Sequence, residues 1–251
     1  MNLNNFFLRI FFFFKRKIKS FFFKIISYIF KLFDNLIDKE NNLIVFAQKN
    51  NLFSDNSKAF FKHVNEKENN FKAIWLVDNR SEKERIEKEY GFTNISTVNS
   101  FKGINLLLRA KTVVISNSLD DFFLHFSPSY KKEVIQLWHG IKWSKKFEYP
   151  NNNFTKELTI ICSSSEEHKS LISTQNKIDS KKIFITGLPR NDLFFNKDKN
   201  KIIKELPLSV EKDLKKNIIL YAPTHKEDLI SDFFPFNDRN FFELNKFLKD
   251  N

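Results

Sequence analysis

The stretch Val134–Lys146, VIQLWHGIKWSKK, ends an apolar run on a single histidine. An imidazole at that point, His139, can accept a proton from a hydroxyl near neutral pH. Gly140 leaves the backbone room to turn beside a ligand, and Lys142, Lys145 and Lys146 can neutralise phosphate charge. The same residues also suit an ordinary strand-ending turn with a packed Trp138 and a solvated lysine loop. Local chemistry leaves both open. Two later stretches carry similar ambiguity. In TGLPRNDLFF (186–195), Arg190 can clamp a phosphate, whereas Asn191 and Asp192 suit the cap of a helix beginning near Leu193. In YAPTHKED (221–228), Pro223 and Thr224 follow an apolar run, where a helix N-terminus would favour an anion.

Other chemistries are poorly represented. His63, His125 and His168 have no spacing that suggests a metal site, so no metal is expected. No phosphate-binding glycine loop, dinucleotide fingerprint or serine nucleophile elbow is present. The single cysteine, Cys162, closes an apolar run and reads as a core residue. One cysteine also rules out an intramolecular disulfide, which fits a reducing compartment.

These residues need elements to hold them, and the texture from residue 41 onward supplies a pattern. Apolar runs at 42–48, 71–79, 93–98, 111–118, 133–140, 158–164 and 181–187 alternate with helix-favouring stretches at 54–64, 81–90, 100–110 and 165–175. Strands alternating with helices imply βαβ units, a parallel sheet and helices on both faces. Four glycines and six prolines argue against an all-β sandwich with its many turns. Residues 41–195 thus read as one Rossmann-like domain. Residues 196–216 are charged and weakly periodic, a linker. Residues 217–251 restart the grammar with NIILYAPTHKED and a helical stretch, as the start of a second such domain. Ligands of such sheets bind at the carboxyl ends of the strands, which is where His139 would sit.

The formal charge of +12 first suggests nucleic acid, but its distribution argues otherwise. Residues 1–31 hold seven of the basic residues (Arg9, Lys15, Arg16, Lys17, Lys19, Lys24, Lys31) and no acid. They are interleaved with aromatic clusters that include Phe11, Phe12 and Phe22. The uncharged runs fall short of the roughly 18–20 residues that a spanning helix needs. Residues 1–40 read as a helical segment lying in a membrane interface, rings in the headgroup region and cations against anionic lipid. A helix packed on the domain with lysines reaching outward is the other reading.

The order of the motifs carries more than any one of them. FSDNSKAFF (53–61), AIWLVDN (73–79), LLLRAKTVVISNS (106–118), QLWHG (136–140), TGLPRND (186–192) and ILYAPT (219–224) together resemble the CDP-glycerol glycerophosphotransferase family, the teichoic-acid and capsule polymerases and primases. The resemblance covers roughly residues 42–251. It implies an α/β, GT-B-like fold: a complete N-terminal Rossmann-like domain on the acceptor side, and here only the start of a second, CDP-donor domain. It also implies transfer of glycerol phosphate, or a related polyol phosphate, from a CDP-activated polyol to a lipid-linked, undecaprenyl-type acceptor, with no cofactor. The base for the acceptor hydroxyl would be His139, and Gly140, Lys142, Arg190, Asn191, Asp192, Pro223 and Thr224 would contact substrate. The protein would lie on the cytoplasmic face of the cell membrane, peripherally bound.

The chain departs from the family pattern in three places. Ile141-Lys142-Trp143-Ser144-Lys145-Lys146 stands where the family has Thr-Pro-Leu-Lys-Lys, and His225-Lys226 follows YAPT instead of an aromatic residue and an arginine. The third departure is at Asn251, where the family continues toward a second His-Pro motif. That predicts an impaired product, or a partner supplying a missing C-terminal half. Alternative readings are a non-catalytic membrane-associated fragment and a GT-B glycosyltransferase using a sugar nucleotide.

Overall fold

The computed structural model describes residues 3–49, 52–138, 140, 152–195, 242–243 and 246, without the side chains of 3–16, 152–154 and 193. Within them the apolar runs form seven strands: β1 (Glu40–Phe46), β2 (Lys72–Val77), β3 (Ile95–Thr97), β4 (Ala110–Ile115), β5 (Glu133–Gln136), β6 (Ile160–Ser163) and β7 (Ile183–Ile185). Six helices connect or precede them: α1 (Leu3–Leu36), α2 (Asp55–Lys67), α3 (Arg80–Tyr90), α4 (Phe101–Arg109), α5 (Asn152–Glu157) and α6 (Glu166–Asn176). The short helix α5 has no counterpart in the sequence reading.

Every pairing is parallel, and the strand order is β3-β2-β1-β4-β5-β6-β7. β1 is therefore central, with Val45 opposite Ile74 on one side and Val113 on the other. Successive strand residues point to opposite faces, and here both faces are covered. Leu43, Val45, Val113 and Ile115 pack with Phe30 of α1, Leu107 of α4 and Ile172 of α6. Ile44, Phe46 and Val114 pack with Phe61 and Val64 of α2 and Ile86 of α3. That explains why β1 and β4 read as unbroken apolar runs instead of alternating. On the second face an aromatic cluster forms around Trp75, whose ring lies 4.7 Å from Phe53 and 5.5 Å from Phe61, centroid to centroid. Each fully buried ring of this kind stabilises the fold by roughly 1.5–3 kcal/mol.

Local chemistry sets the element ends. The side chain of Asn79 accepts the Glu82 amide at 2.9 Å to start α3, and Gly91 ends it in the left-handed region at φ 73°. Ser100 opens α4 by accepting the Gly103 amide at 2.9 Å. Gly103 itself allows α4 to approach the exit of β3, because a Cβ there would lie 1.9 Å from the Thr97 carbonyl oxygen.

Helix α1 is continuous from Leu3 to Leu36, and its C-terminal half docks on the domain through Ser27, Phe30 and Asp34. The docking rests on a buried ionic node. Asp34 Oδ1 accepts Lys39 Nζ at 2.8 Å and Lys132 Nζ at 2.9 Å, and Oδ2 accepts the Ser129 amide at 2.8 Å. Lys132 Nζ also donates to the carbonyls of Leu107 (2.6 Å) and Ala110 (2.7 Å). Burial pulls the Lys132 ammonium down to about 8, against the pull of Asp34 the other way. On the rest of α1, Phe21, Phe22, Tyr28, Leu32, Phe33 and Leu36 are exposed.

By contacts the chain divides into Met1–Phe195 and Asn196–Asn251. The expected linker and the expected strand and turn at 217–228 lie outside the described residues, and of the C-terminal helical stretch only Phe242, Glu243 and Lys246 are described, as helical.

Candidate active site at the carboxyl edge of the sheet

Because all strands run the same way, their carboxyl ends share one edge, and the strand order reverses there between β1 and β4. A crevice for a ligand belongs at this switch point. Two exits are fastened together across it by Asp121. Its Oδ2 accepts the amides of Ser116 (3.1 Å) and Asn117 (2.9 Å) after β4, and its Oδ1 accepts the amide of Lys49 (3.2 Å) after β1. Burial raises this carboxyl to about 6, and the donated amides hold it from rising further. Beside it Gln48 is buried, and its Oε1 has no hydrogen-bond partner among the described residues. A buried carbonyl oxygen left over at a strand exit is the kind of acceptor that a bound ligand satisfies.

The start of α2 enters the same place. Ser57 Oγ lies 2.7 Å from Ser116 Oγ, both fully buried. Asp55 adopts a left-handed backbone at φ 61°, which aspartate tolerates better than most residues. Asn56 is fully buried and makes two long-range bonds. Its Nδ2 donates to the Trp138 carbonyl at 2.7 Å, and its Oδ1 accepts the Arg190 amide at 3.1 Å. Asp55 Oδ1 meanwhile accepts Arg190 Nη1 at 2.7 Å. The exits of β5 and β7 are thus tied to the first turn of α2.

Trp138 is unusual: a bulky residue held at φ 63°. Its amide donates to Gln136 Oε1 at 3.2 Å, its indole is buried, and its ring stands 6.5 Å from that of His168. His168 is held toward its neutral form by burial, with Nδ1 facing the Ser164 amide at 3.3 Å. It is a packing residue after β6.

His139, Lys142, Pro223 and Thr224 lie outside the described residues. Gly140 is described and half-buried, and a Cβ there would meet nothing within 4 Å. At the β7 exit it is Gly187 that takes a left-handed backbone, at φ 78°. The expected helix near Leu193 is not what forms. A 3₁₀ turn runs from Pro189 to Phe195, so Asn191 and Asp192 sit within it and not at its cap. Proline is preorganised for the first position of a helical turn, and the Asn56 carboxamide takes the place of a capping side chain by accepting the Arg190 amide. Asn191 and Asp192 are exposed, while Arg190 joins the site. The residues that sequence reasoning passed over are Asp55, Asn56 and Asp121. Of the expected membrane residues, Lys17, Lys19 and Phe22 are exposed, and the side chains of Arg9, Phe11, Phe12, Lys15 and Arg16 are outside the description.

Among the described residues, no group of three or more His, Cys, Asp or Glu is placed to hold a metal ion. Cys162 is buried in β6, and burial pushes its thiol up, away from the nucleophilic thiolate.

A parallel sheet in this order, with helices on both faces and a polar cluster at the switch point, defines a Rossmann-like α/β class of protein. The model of the CDP-glycerol:poly(glycerophosphate) glycerophosphotransferase family matches residues 28–251, and the chain belongs to that family. It is similar to a teichoic acid poly(ribitol-phosphate) polymerase of Bacillus spizizenii, 26% identical over 86% of this chain and 35% of the relative. It is also similar to a teichoic acid glycerol-phosphate transferase of Staphylococcus aureus, 27% identical over 74% of this chain and 51% of the relative. The chain therefore spans about a third to a half of the length of these curated relatives. Among solved structures, the wall teichoic acid polymerase TagF aligns with a TM-score of 0.64 at 20% identity, covering 95% of this chain and 63% of that one. The likeness shows the fold: α/β and GT-B-like.

Proposed function

We propose that this chain carries the acceptor-side part of a transferase that moves glycerol phosphate, or a related polyol phosphate, from a CDP-activated donor to a lipid-linked acceptor in teichoic acid synthesis. The observation that carries the reading is the convergence of three family motif segments, at Asp55–Asn56, Trp138 and Arg190, on the carboxyl edge beside the strand-order switch. The family membership of residues 28–251 supports it.

In this reading His139, next in the chain after Trp138, takes the proton of the acceptor hydroxyl. The freed oxygen attacks the phosphorus that bears the polyol. The bond from that phosphorus to the oxygen bridging the two phosphates breaks, and CMP leaves with the electron pair. Arg190, with Lys142, offsets charge on the phosphoryl oxygens. No cofactor enters the scheme.

We also infer peripheral attachment to the cytoplasmic face of the membrane through α1. Its exposed Phe21, Phe22, Phe33 and Leu36 and the exposed Lys17, Lys19 and Lys24 support this. No helix among the described residues is long and apolar enough to cross a membrane. The test is release of CMP from CDP-glycerol or CDP-ribitol by the full chain, with membranes supplying the acceptor. Release that requires both the donor and the membranes supports the reading. Absence of release, or turnover of a UDP-sugar instead, overturns it.

A further inference from the structure

We propose that Asn56 is a positioning residue: its carboxamide sets the Trp138 carbonyl and the Arg190 amide at a fixed separation, and so holds the peptide that leads into His139 in register with the arginine. The inference rests on the transferase reading above for its catalytic consequence, but the bridge itself rests on geometry.

Three observations carry it. First, the two bonds use opposite ends of one group. Nδ2 donates to Trp138 at 2.7 Å and Oδ1 accepts from Arg190 at 3.1 Å, so the amide has one orientation that satisfies both. Aspartate, acceptor-only when ionised, cannot replace it. Second, Asn56 is fully buried, where a half-satisfied carboxamide is costly and where no water competes for its bonds. Third, what it holds is strained. Trp138 sits at φ 63°, a conformation that persists only where surrounding contacts impose it. The carbonyl that Asn56 grips belongs to that residue. The bonds span 82 and 134 residues of sequence, so no local rule would produce them.

The neighbouring Asp55 adds a second constraint on the same arginine through its 2.7 Å contact with Nη1. Asn56 thus places the backbone of Arg190 and Asp55 aims its guanidinium. Rate losses of the order of a hundredfold from small misplacements of reacting groups are a general expectation.

Two substitutions in the full chain separate the ends of the bridge. Asn56→Ala removes both bonds. Asn56→Asp keeps an acceptor for Arg190 but, while ionised, turns a negative oxygen toward the Trp138 carbonyl. Protonation restores a donor and recreates the pattern of the carboxamide. Burial raises the pKa of such a carboxyl, so the bridge in the Asp variant gains a pH dependence that the parent's carboxamide, which does not titrate, lacks.

Hydrogen exchange resolved to peptides covering 133–140 and 186–195 reads the bridge. With Asn56→Ala, both segments exchange about tenfold faster or more while the β1 and β4 peptides keep their protection. With Asn56→Asp, the 186–195 segment stays protected, and the 133–140 segment loosens at high pH and recovers at low pH. Unchanged exchange in the Ala variant, or equal loosening of β1 and β4, overturns the bridge. In CMP release, both variants are expected to lose about tenfold or more in kcat with KM for the CDP-polyol changed less than about threefold, and the deficit of the Asp variant relative to the parent at the same pH narrows as pH falls. A parent chain that releases no CMP sinks the transferase reading while the exchange result still decides the bridge. Altered exchange with unchanged kcat sinks the positioning role.

Discussion

Asp121 Oδ1 accepts the backbone amide of Lys49 at 3.2 Å, so a side chain that follows β4 fastens the exit of β1 across the switch point. Its carboxyl is raised to about 6 from an ordinary 3.8, with burial the leading cause. A carboxyl with a raised folded pKa binds its proton more readily in the folded state. The contribution of this group to stability is therefore greatest below about pH 4 and falls as pH rises to about 6, with no further slope above. The interval corresponds to about 3 kcal/mol. Urea unfolding at a series of pH values should show this decline, and Asp121→Asn should flatten it. An unaltered slope in the variant would refute the assignment.

The ionic node under α1 makes a second prediction. Lys132→Met leaves the Leu107 and Ala110 carbonyls without their donor and takes one cation from the buried Asp34. Breaking a buried pair from one side costs about 3–5 kcal/mol. The urea midpoint of the full chain should drop accordingly, and limited proteolysis should cut α1 first. A loss below about 1 kcal/mol would show the node to be dispensable.

Gly103→Ala places a Cβ 1.9 Å from the Thr97 carbonyl oxygen, a backbone atom with no rotamer to yield. An expected loss of about 1–3 kcal/mol follows from overpacking. Gly140→Ala, with open space around its position, serves as the matched control and should unfold within about 1 kcal/mol of the parent.

Charge on α1 should govern vesicle binding if the helix lies on a membrane. Each basic residue near an anionic surface adds about 1 kcal/mol. Replacing Lys17, Lys19 and Lys24 by glutamine should therefore weaken binding to anionic vesicles by about a hundredfold, with little change on neutral ones. Equal binding of parent and variant in cosedimentation would exclude the electrostatic component.

His139→Ala tests the proposed base directly. General-base removal lowers rate by about 10²- to 10⁴-fold. CMP release should fall by that factor with the fold intact by circular dichroism. Release within a factor of about three of the parent would assign the proton to another acceptor.

Much of the architecture was legible because its signals are local. Unbroken apolar runs such as LIVF and TVVI announce strands buried on both faces, and Asn79, Ser100, Ser165 and Gly91 announce the helix ends that the structure shows. The site was only half legible. His139 and Arg190 stand out by chemistry and by motif. Asn56 reads as one more polar residue at a helix start, and its partners lie 82 and 134 residues away. The left-handed backbone of Trp138 has no signature in residue type, since tertiary contacts impose it. The 3₁₀ turn at Pro189 escaped for the same reason: its opening amide is satisfied by Asn56, from another element.

A wholly parallel sheet contains no hairpin, so none of its ladders can form by a chain simply doubling back. β1 illustrates the cost in time. Phe46 pairs with Trp75 on one side and with Val114 on the other, closing loops of very different length onto the same strand. Contacts so distant in sequence must overcome loop-closure entropy before any of them stabilises the next. The central strand thus precedes the other six described strands in the chain and is expected to be sealed late. During that interval its LIVF run is exposed, and the refolding rate of this domain belongs at the slow end of the range for its size.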